Sequence, residues 1–189
     1  MKILVITGPP YSGKGTQCEL LETMLGYQHI STGERIRAEK ENNTHIGKVM
    51  KDFEEKGMLV PDEIMKELLT QILLENKQGK GIIFDGYPRT KPQVDTLISL
   101  LKDNKQQINQ VINVVVPKEE LLKRAKERAK KSTRTDDKNE RVHIKRIEVF
   151  EENTQAAINY LKTIMPVVDI DGMGSIEAIT DRIKRRLKS

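Results

Sequence analysis

The sequence is poor in the residues that form disulfides, aromatic binding platforms and membrane spans. Its 189 residues include one cysteine, Cys18, with three phenylalanines, four tyrosines and no tryptophan. One cysteine cannot form an internal disulfide or a four-cysteine zinc site. So few aromatic rings argue against a stacking surface for single-stranded nucleic acid. No apolar run approaches the roughly 20 residues that a membrane-spanning helix needs. We therefore expect a cytoplasmic protein with no membrane or nucleic-acid partner.

The chain is highly charged, but the two signs nearly balance. It has 33 lysines and arginines against 28 acidic residues, a formal net charge of +5. This excess fits an anionic partner and a plain solvated surface equally well, so charge alone does not identify a ligand. Apolar runs such as Ile3–Ile6 and Val111–Val116 recur within the charged background. A disordered polyelectrolyte lacks such runs, and we expect one globular domain.

Short β-branched runs alternate with longer amphipathic stretches. Strands are predicted at Lys2–Thr7, Tyr27–Ser31, Gly81–Asp85, Val111–Val116 and Val167–Ile170. These runs are continuously apolar, which is typical of a parallel sheet covered on both faces. Helical patterns lie between them, at Glu63–Glu75, Gln93–Leu101, about 140–164 and about 175–187. The alternation predicts an α/β fold, a doubly wound parallel sheet with right-handed crossovers.

Two segments break this alternation. Residues 32–57 look helical, yet no strand separates them from the next helix, so we interpret them as an insert that leaves the core. Residues 129–139 are polar, have strong turn character and contain no apolar anchor. We interpret this second segment as a mobile surface element.

A glycine-rich motif follows the first predicted strand and precedes a helical pattern. It reads Gly8-Pro9-Pro10-Tyr11-Ser12-Gly13-Lys14-Gly15-Thr16. The backbone N–H groups of such a turn, together with the positive end of the following helix, bind polyphosphates. Lys14 would bring a full positive charge to the terminal phosphates. The general pattern has Ser or Thr directly after the lysine, whereas here Gly15 precedes Thr16.

The GKGTQ ending is the variant found in nucleoside monophosphate kinases, and the chain resembles the adenylate kinase family along nearly its whole length. Six blocks occur in the right order, namely GPPYSGKGTQ, HISTGERIR, GMLVPDE, FDGYPRTKPQ, RTDDKNE with Arg146, and DGMGS. The resemblance implies a five-stranded sheet of the P-loop NTPase type, with a core of residues 1–30, 61–128 and 140–189. It also implies a helical monophosphate-binding insert at 31–60 and a short lid at 129–139.

The implied activity is the reversible, Mg²⁺-dependent transfer of the terminal phosphoryl group of ATP to AMP, giving two ADP, by a monomer. By resemblance, the ATP site consists of Gly8, Tyr11, Ser12, Gly13, Lys14, Gly15, Thr16, Arg124, Arg128 and Gly174. The AMP site consists of Thr32, Gly33, Arg37, Met58, Leu59, Val60, Gly86, Tyr87, Arg89, Gln93, Arg134 and Arg146. The catalytic residues would be Lys14, Arg89, Arg124, Arg134 and Arg146. Planar guanidinium groups suit this role because each can clamp a phosphate with several donors.

Asp85 ends the third predicted strand, beside the glycine-rich motif. A carboxylate there can hold Mg²⁺ through coordinated water, because this ion keeps part of its hydration shell. The alternative is that Asp85 caps the following turn. The three histidines, His29, His45 and His143, show no ligand spacing, and no bound zinc is expected.

Two positions bear on the identity of the acceptor base. Gln93 has both an amide donor and an amide acceptor, which match the edge of adenine. Pyrimidine monophosphate kinases, the nearest relatives, usually have alanine at the position of Thr32 and asparagine at that of Gln93. AMP is therefore favoured, with UMP or CMP as the alternative. A nucleotide-binding regulator without turnover is a further alternative, disfavoured by the converging cations Lys14, Arg37, Arg89, Arg134 and Arg146.

Two residues depart from the family pattern. Tyr11 stands where the family usually has a second glycine of the phosphate loop. If that position requires a positive φ, tyrosine costs energy or forces a changed turn. We expect the loop to shift slightly or the ring to stack across the nucleotide path, with activity retained. Lys138 resembles an insertion relative to the usual short lid.

Overall fold

A five-stranded parallel sheet forms the centre of the computed structural model, which describes residues 1–42, 44–76, 79–131 and 139–187. The strands are β1 (Lys2–Thr7), β2 (Gln28–Ser31), β3 (Gly81–Asp85), β4 (Gln110–Val115) and β5 (Val167–Asp171). Their order across the sheet is β2-β3-β1-β4-β5. The predicted strands are confirmed to within one residue at either end.

Helices connect the strands and cover the sheet. They are α1 (Lys14–Leu25), α2 (Thr32–Glu41), α3 (His45–Glu55), α4 (Asp62–Glu75), α5 (Lys91–Asp103), α6 (Lys118–Lys131), α7 (Glu140–Val149), α8 (Gln155–Ile164) and α9 (Ile176–Leu187). A π-helical turn at Phe150–Thr154 joins α7 to α8. The long helix predicted over about 140–164 is thus continuous but widened in the middle. In the described ranges, no helix is long and apolar enough to cross a membrane.

Side chains of β1 alternate between two apolar layers, one on each face of the sheet. Ile3 and Val5 belong to a layer completed by residues of α4, α5 and α8. Leu4 and Ile6 belong to the opposite layer, which α1, α6 and α9 complete. Because successive strand residues point to opposite faces, a strand covered on both sides must be apolar at every position. The continuous apolar runs of the sequence have this origin, and the doubly wound fold is confirmed.

The strand order places the glycine-rich motif and Asp85 side by side. β1 pairs with β3 in a register that aligns Ile6 with Asp85, and it pairs with β4 on its other edge. The helices that follow β1 and β3 cover opposite faces of the sheet, α1 one face and α5 the other, and ligands bind at such a point in open α/β sheets. The insert contributes α2 and α3, with no strand described between them and α4. Residues 132–138, most of the predicted lid, lie outside the described residues.

Candidate active site

A cavity of about 660 Å³ opens at the carboxyl edge of the sheet. Most of the residues that sequence reasoning assigned to a site line it, namely Gly8, Tyr11, Gly13, Lys14, Gly15, Thr16, Thr32, Gly33, Arg37, Met58, Leu59, Val60, Asp85, Gly86, Arg89, Gln93, Arg128 and Arg146. Four predicted residues are not in this lining, namely Ser12, Tyr87, Arg124 and Gly174. Arg134 lies outside the described residues.

The loop between β1 and α1 requires glycine at two positions for different reasons. Gly8 has φ +142°, and a Cβ there would lie 2.5 Å from the carbonyl oxygen of Val114, so β4 leaves no space for a side chain. Gly13 has φ +86° and open space around a Cβ, so only its backbone conformation demands glycine. No side chain caps the N-terminus of α1 at Gly13. The first N–H groups of α1 are therefore suited to bind an anion.

Lys14 lies at the start of α1, close to several other charges. Its Nζ donates a hydrogen bond to the carbonyl oxygen of Pro9 at 3.2 Å. Burial lowers the pKa of Lys14, the charge of Asp85 opposes this change, and the charges of Arg89 and Arg128 lower the pKa further. Burial is the largest of these causes, and the repulsion from the two arginines adds to it. A bound polyphosphate would relieve this repulsion.

His29 holds Asp85 at the adjacent ends of β2 and β3. The Nε2 atom of His29 is 3.3 Å from Oδ2 of Asp85. Burial of Asp85 opposes its ionisation, but the hydrogen bond with His29 and the charge of Lys14 dominate and lower its pKa. The same bond raises the pKa of His29 against the effect of burial. Asp85 also lies next to the phosphate loop, since its Oδ2 would be 3.5 Å from a Cβ at Gly15.

Only the fold reveals the grouping of Cys18, His29 and Asp85. Potential ligand atoms of these three side chains lie within 4.8 Å of one another. Burial raises the pKa of the Cys18 thiol well above its usual value, so the thiol stays neutral. Of the three, only Asp85 lines the cavity. An ionised carboxylate beside a phosphate loop fits Mg²⁺, which prefers oxygen ligands and retains water.

The turn after β3 places Arg89 at the cavity. Its Nε donates a hydrogen bond to the carbonyl oxygen of Gly86 at 2.5 Å. Gly86 has φ +74°, and a Cβ there would come within 2.8 Å of the Arg89 guanidinium, so glycine makes room for it. Tyr87 turns into the core instead, where its hydroxyl donates to the carbonyl oxygen of Gln93 at 3.2 Å. Tyr87 therefore stabilises this turn from the core side.

Two hydrogen bonds determine the orientation of the Gln93 amide. Its Oε1 accepts from the backbone N–H of Arg89 at 2.8 Å, and its Nε2 donates to Oδ1 of Asp62 at 2.7 Å. A backbone N–H only donates and a carboxylate only accepts, so the oxygen end of the amide is assigned. Each end retains one further hydrogen-bonding position. Sequence reasoning did not identify Asp62, because nothing in its spacing indicates contact with Gln93.

Thr32 joins the insert to the end of β3. Its hydroxyl lies 3.3 Å from the carbonyl oxygen of Asp85 and 3.2 Å from that of Gly86, as a donor to these backbone groups. Ser31 caps α2, with its side chain accepting from the backbone N–H of Glu34. The start of α2 is therefore fixed where Arg37, one turn further, lines the cavity.

Arg124 and Arg128 lie one turn apart on α6 but have different surroundings. Arg124 donates to Oε1 of Glu120 at 2.9 Å and to the carbonyl oxygens of Ser12 and Gly172 at 3.3 and 3.0 Å. Its guanidinium thus connects α6 to the phosphate loop and to the turn after β5. Arg128 lines the cavity, with its guanidinium carbon 5.9 Å from the centroid of the Tyr11 ring.

Tyr11 has a backbone conformation that favours glycine. Its φ is +67°, which costs a non-glycine residue about 1–2 kcal/mol. The ring is buried against α7, and its hydroxyl shares a hydrogen bond with Nδ1 of His143 at 2.5 Å. The tyrosine therefore occupies a costly positive-φ conformation, and its ring packs on α7 at the edge of the cavity.

Comparisons with known proteins agree with the resemblance. A family described as adenylate kinase matches residues 6–165. The chain is 42% identical over 186 residues to the adenylate kinase of Parabacteroides distasonis, covering 98% of this chain and 97% of that protein. It is 41% identical over 180 residues to that of Bacteroides fragilis, covering 95% of each. Against the adenylate kinase of Pseudarthrobacter chlorophenolicus it is 36% identical over 189 residues, with coverages of 100% and 98%. The chain belongs to the adenylate kinase family.

Proposed function

We propose that the protein transfers the terminal phosphoryl group of ATP to AMP in this cavity, giving two ADP. Family membership makes the chain a nucleoside monophosphate kinase and hence a phosphotransferase. This assignment depends on one observation: five cationic residues line the same cavity, namely Lys14, Arg37, Arg89, Arg128 and Arg146. Phosphoryl transfer requires such a set, because the protein mainly positions two anionic nucleotides and neutralises the charge between them.

The donor binds at the glycine-rich loop. Backbone N–H groups at the start of α1 hold its phosphates, and Lys14 places its charge on the terminal ones. Arg128 approaches the same phosphates from α6. Arg124 keeps the loop and α6 together through its bonds to Ser12 and Gly172, and a direct contact of Arg124 with the donor stays a prediction. Roles for Gly174 at the donor base and Arg134 at the reaction centre also stay predictions.

The acceptor binds between the insert and the turn after β3. Arg37 and Arg89 clamp its phosphate, and Thr32 with the segment Met58–Val60 lines its base. In the assigned orientation of Gln93, Oε1 accepts from the exocyclic amino group of adenine and Nε2 donates to a ring nitrogen. The pyrimidine alternative is not favoured, since the relatives compared carry the name adenylate kinase.

Mg²⁺ is the ion that we propose for this site, with Asp85 as its protein ligand through coordinated water. When bound, it supplies positive charge to the donor phosphates. His29 keeps the Asp85 carboxylate ionised and oriented towards the phosphate loop. We expect no zinc in the active protein. A monomeric state, a cytoplasmic location and the absence of membrane or nucleic-acid partners remain part of the proposal.

A coupled assay with ATP and each nucleoside monophosphate in turn tests this function. We expect the highest kcat/KM with AMP. Arg89→Lys keeps the charge but removes the planar fork of donors, so kcat/KM for AMP should fall at least about tenfold. Arg185→Lys, on the exposed face of α9, is the matched control and should match the wild type. Faster turnover of UMP or CMP would refute the base assignment, and no turnover with any monophosphate would refute the kinase assignment.

A further inference from the structure

A tyrosine in a phosphate-binding loop at positive φ must be held there by contacts elsewhere. Tyr11 has φ +67° and is only 9% exposed. Its hydroxyl lies 2.5 Å from Nδ1 of His143, which is itself only 2% exposed. The two rings meet edge to face with their centroids 5.2 Å apart and their planes at 77°. A short hydrogen bond and a packed ring pair therefore join the loop to α7.

The Tyr11 ring also contacts α6. The guanidinium carbon of Arg128 lies 5.9 Å from the ring centroid, within the range of a cation–π interaction. Arg128 also lines the cavity together with residues of the phosphate loop. One side chain of the loop thus lies against α6 and α7, the helices that bring Arg128 and Arg146 to the cavity.

His143 lies on the same helix as Arg146. The two residues are three positions apart on α7 and share one face of the helix. Val142 and Ile147 of α7 are buried, which anchors this part of the helix in the fold. The Tyr11–His143 contact therefore sets the distance between the phosphate loop and the helix turn that carries Arg146.

We propose that Tyr11 and His143 form a positioning pair that fixes the phosphate loop against α7 and so orients Arg128 and Arg146 towards the transferred phosphoryl group. The inference rests on the proposed phosphoryl transfer in this cavity. The pair acts through the two arginines. Ordering cations before the reaction lowers the reorganisation needed in the transition state. The effect is therefore expected mainly in the rate of transfer, with a smaller effect on AMP binding because Arg146 is also a predicted AMP-site residue.

Variants that remove single atoms of the contact test this pair. Tyr11→Phe removes only the hydroxyl and keeps the ring. His143→Leu removes the imidazole nitrogen, whereas His143→Asn keeps a polar atom at about the place of Nδ1. Tyr160→Phe is the matched control, because it also removes a bonded hydroxyl, here 2.8 Å from Asp95 on the outer surface. Single-turnover transfer rates at saturating ATP and AMP, KM for each nucleotide and thermal midpoints are measured for all variants and for Tyr11→Phe/His143→Leu.

We expect Tyr11→Phe and His143→Leu each to lower the transfer rate about fivefold, the usual worth of one net hydrogen bond. The double variant should be no slower than either single variant, and His143→Asn and Tyr160→Phe should stay within twofold of wild type. KM for AMP should change less than the transfer rate. A double variant slowed about 25-fold, single variants within twofold of wild type, or His143→Asn as slow as His143→Leu would each overturn the pair.

Two further comparisons keep the outcome unambiguous. If His143→Leu does not fold, His143→Ala and Tyr11→Phe/His143→Ala replace it and its double variant: a double variant no slower than the slower single variant supports the pair, and a loss equal to the product of the two single losses overturns it. If the wild-type protein transfers no phosphoryl group from ATP to AMP, the proposed function itself is refuted. If the wild type is active and the variants keep its transfer rate, only the proposed Tyr11–His143 pair is refuted.

Discussion

Asp62→Ala tests how the protein orients the amide that reads the acceptor base. Oδ1 of Asp62 accepts hydrogen bonds from Nε2 of Gln93 at 2.7 Å and from the hydroxyl of Thr90 at 3.0 Å. Alanine removes this acceptor and leaves the buried Gln93 amide with an unsatisfied N–H. An unsatisfied buried donor costs about 1–3 kcal/mol, and the amide is then held only by the bond of its Oε1 with the backbone N–H of Arg89. An amide held at one end no longer presents its acceptor and its donor at fixed positions to the edge of adenine.

The effect of Asp62→Ala should therefore be selective for the acceptor. If the loss of this orientation weakens the binding of AMP by about 1.4 kcal/mol, KM for AMP rises about tenfold, while KM for ATP stays unchanged. Asp62→Asn is the matched control, because its amide oxygen can take the place of Oδ1 and should keep KM for AMP within about twofold. Initial-rate kinetics with each substrate varied in turn provide the measurement. Our reasoning fails if Asp62→Ala is folded and its KM for AMP stays within twofold of wild type.

Two further substitutions test the phosphate loop and the core. Gly8→Ala places a Cβ 2.5 Å from the carbonyl oxygen of Val114, so its free energy of unfolding should fall by more than about 3 kcal/mol. Gly174→Ala, also at positive φ but with no heavy atom closer than 3.8 Å to the new Cβ, should lose only about 1–2 kcal/mol in the same urea titration; equal losses would contradict the clash. Leu68→Ala, fully buried on α4, should lose about 2–5 kcal/mol, and Leu74→Ala, 55% exposed on the same helix, much less. Similar losses at both leucines would show that the described burial is wrong.

The sheet and the phosphate loop could be predicted because their signals are local. β1 and β3 are buried on both faces, so each strand is a continuous apolar run that the sequence shows directly. Lys14 follows its glycines within one motif, and Asp85 ends a strand that any parallel arrangement brings to the same edge. The π-helical turn at Phe150–Thr154 gave no such signal. A single wide turn shifts the helical period by one residue and leaves the apolar pattern on either side nearly intact.

Contacts between distant elements could not be predicted from the same patterns. Tyr11 and His143 are 132 positions apart, and His29 and Asp85 are 56 apart. Nothing in local periodicity tells which face of α7 meets the loop, or that β2 lies beside β3. The three histidines show no ligand spacing in the sequence. His29 nevertheless contacts Asp85, because parallel pairing aligns the ends of β2 and β3. Such partners follow from topology, which the local pattern does not determine.

The two arginines of α6 show what topology adds to a motif. Four residues apart on one helix, Arg124 and Arg128 look equivalent in sequence, and the resemblance assigned both to the donor phosphates. In the fold, Arg124 meets Glu120 and the carbonyl oxygens of Ser12 and Gly172, because α6 begins beside these turns. Those bonds fasten the helix to the loop that holds the donor. These bonds hold α6 in place one turn before Arg128. Arg128 therefore lies at the cavity in a fixed position, which a cation needs if it is to act on the substrate without reorganising.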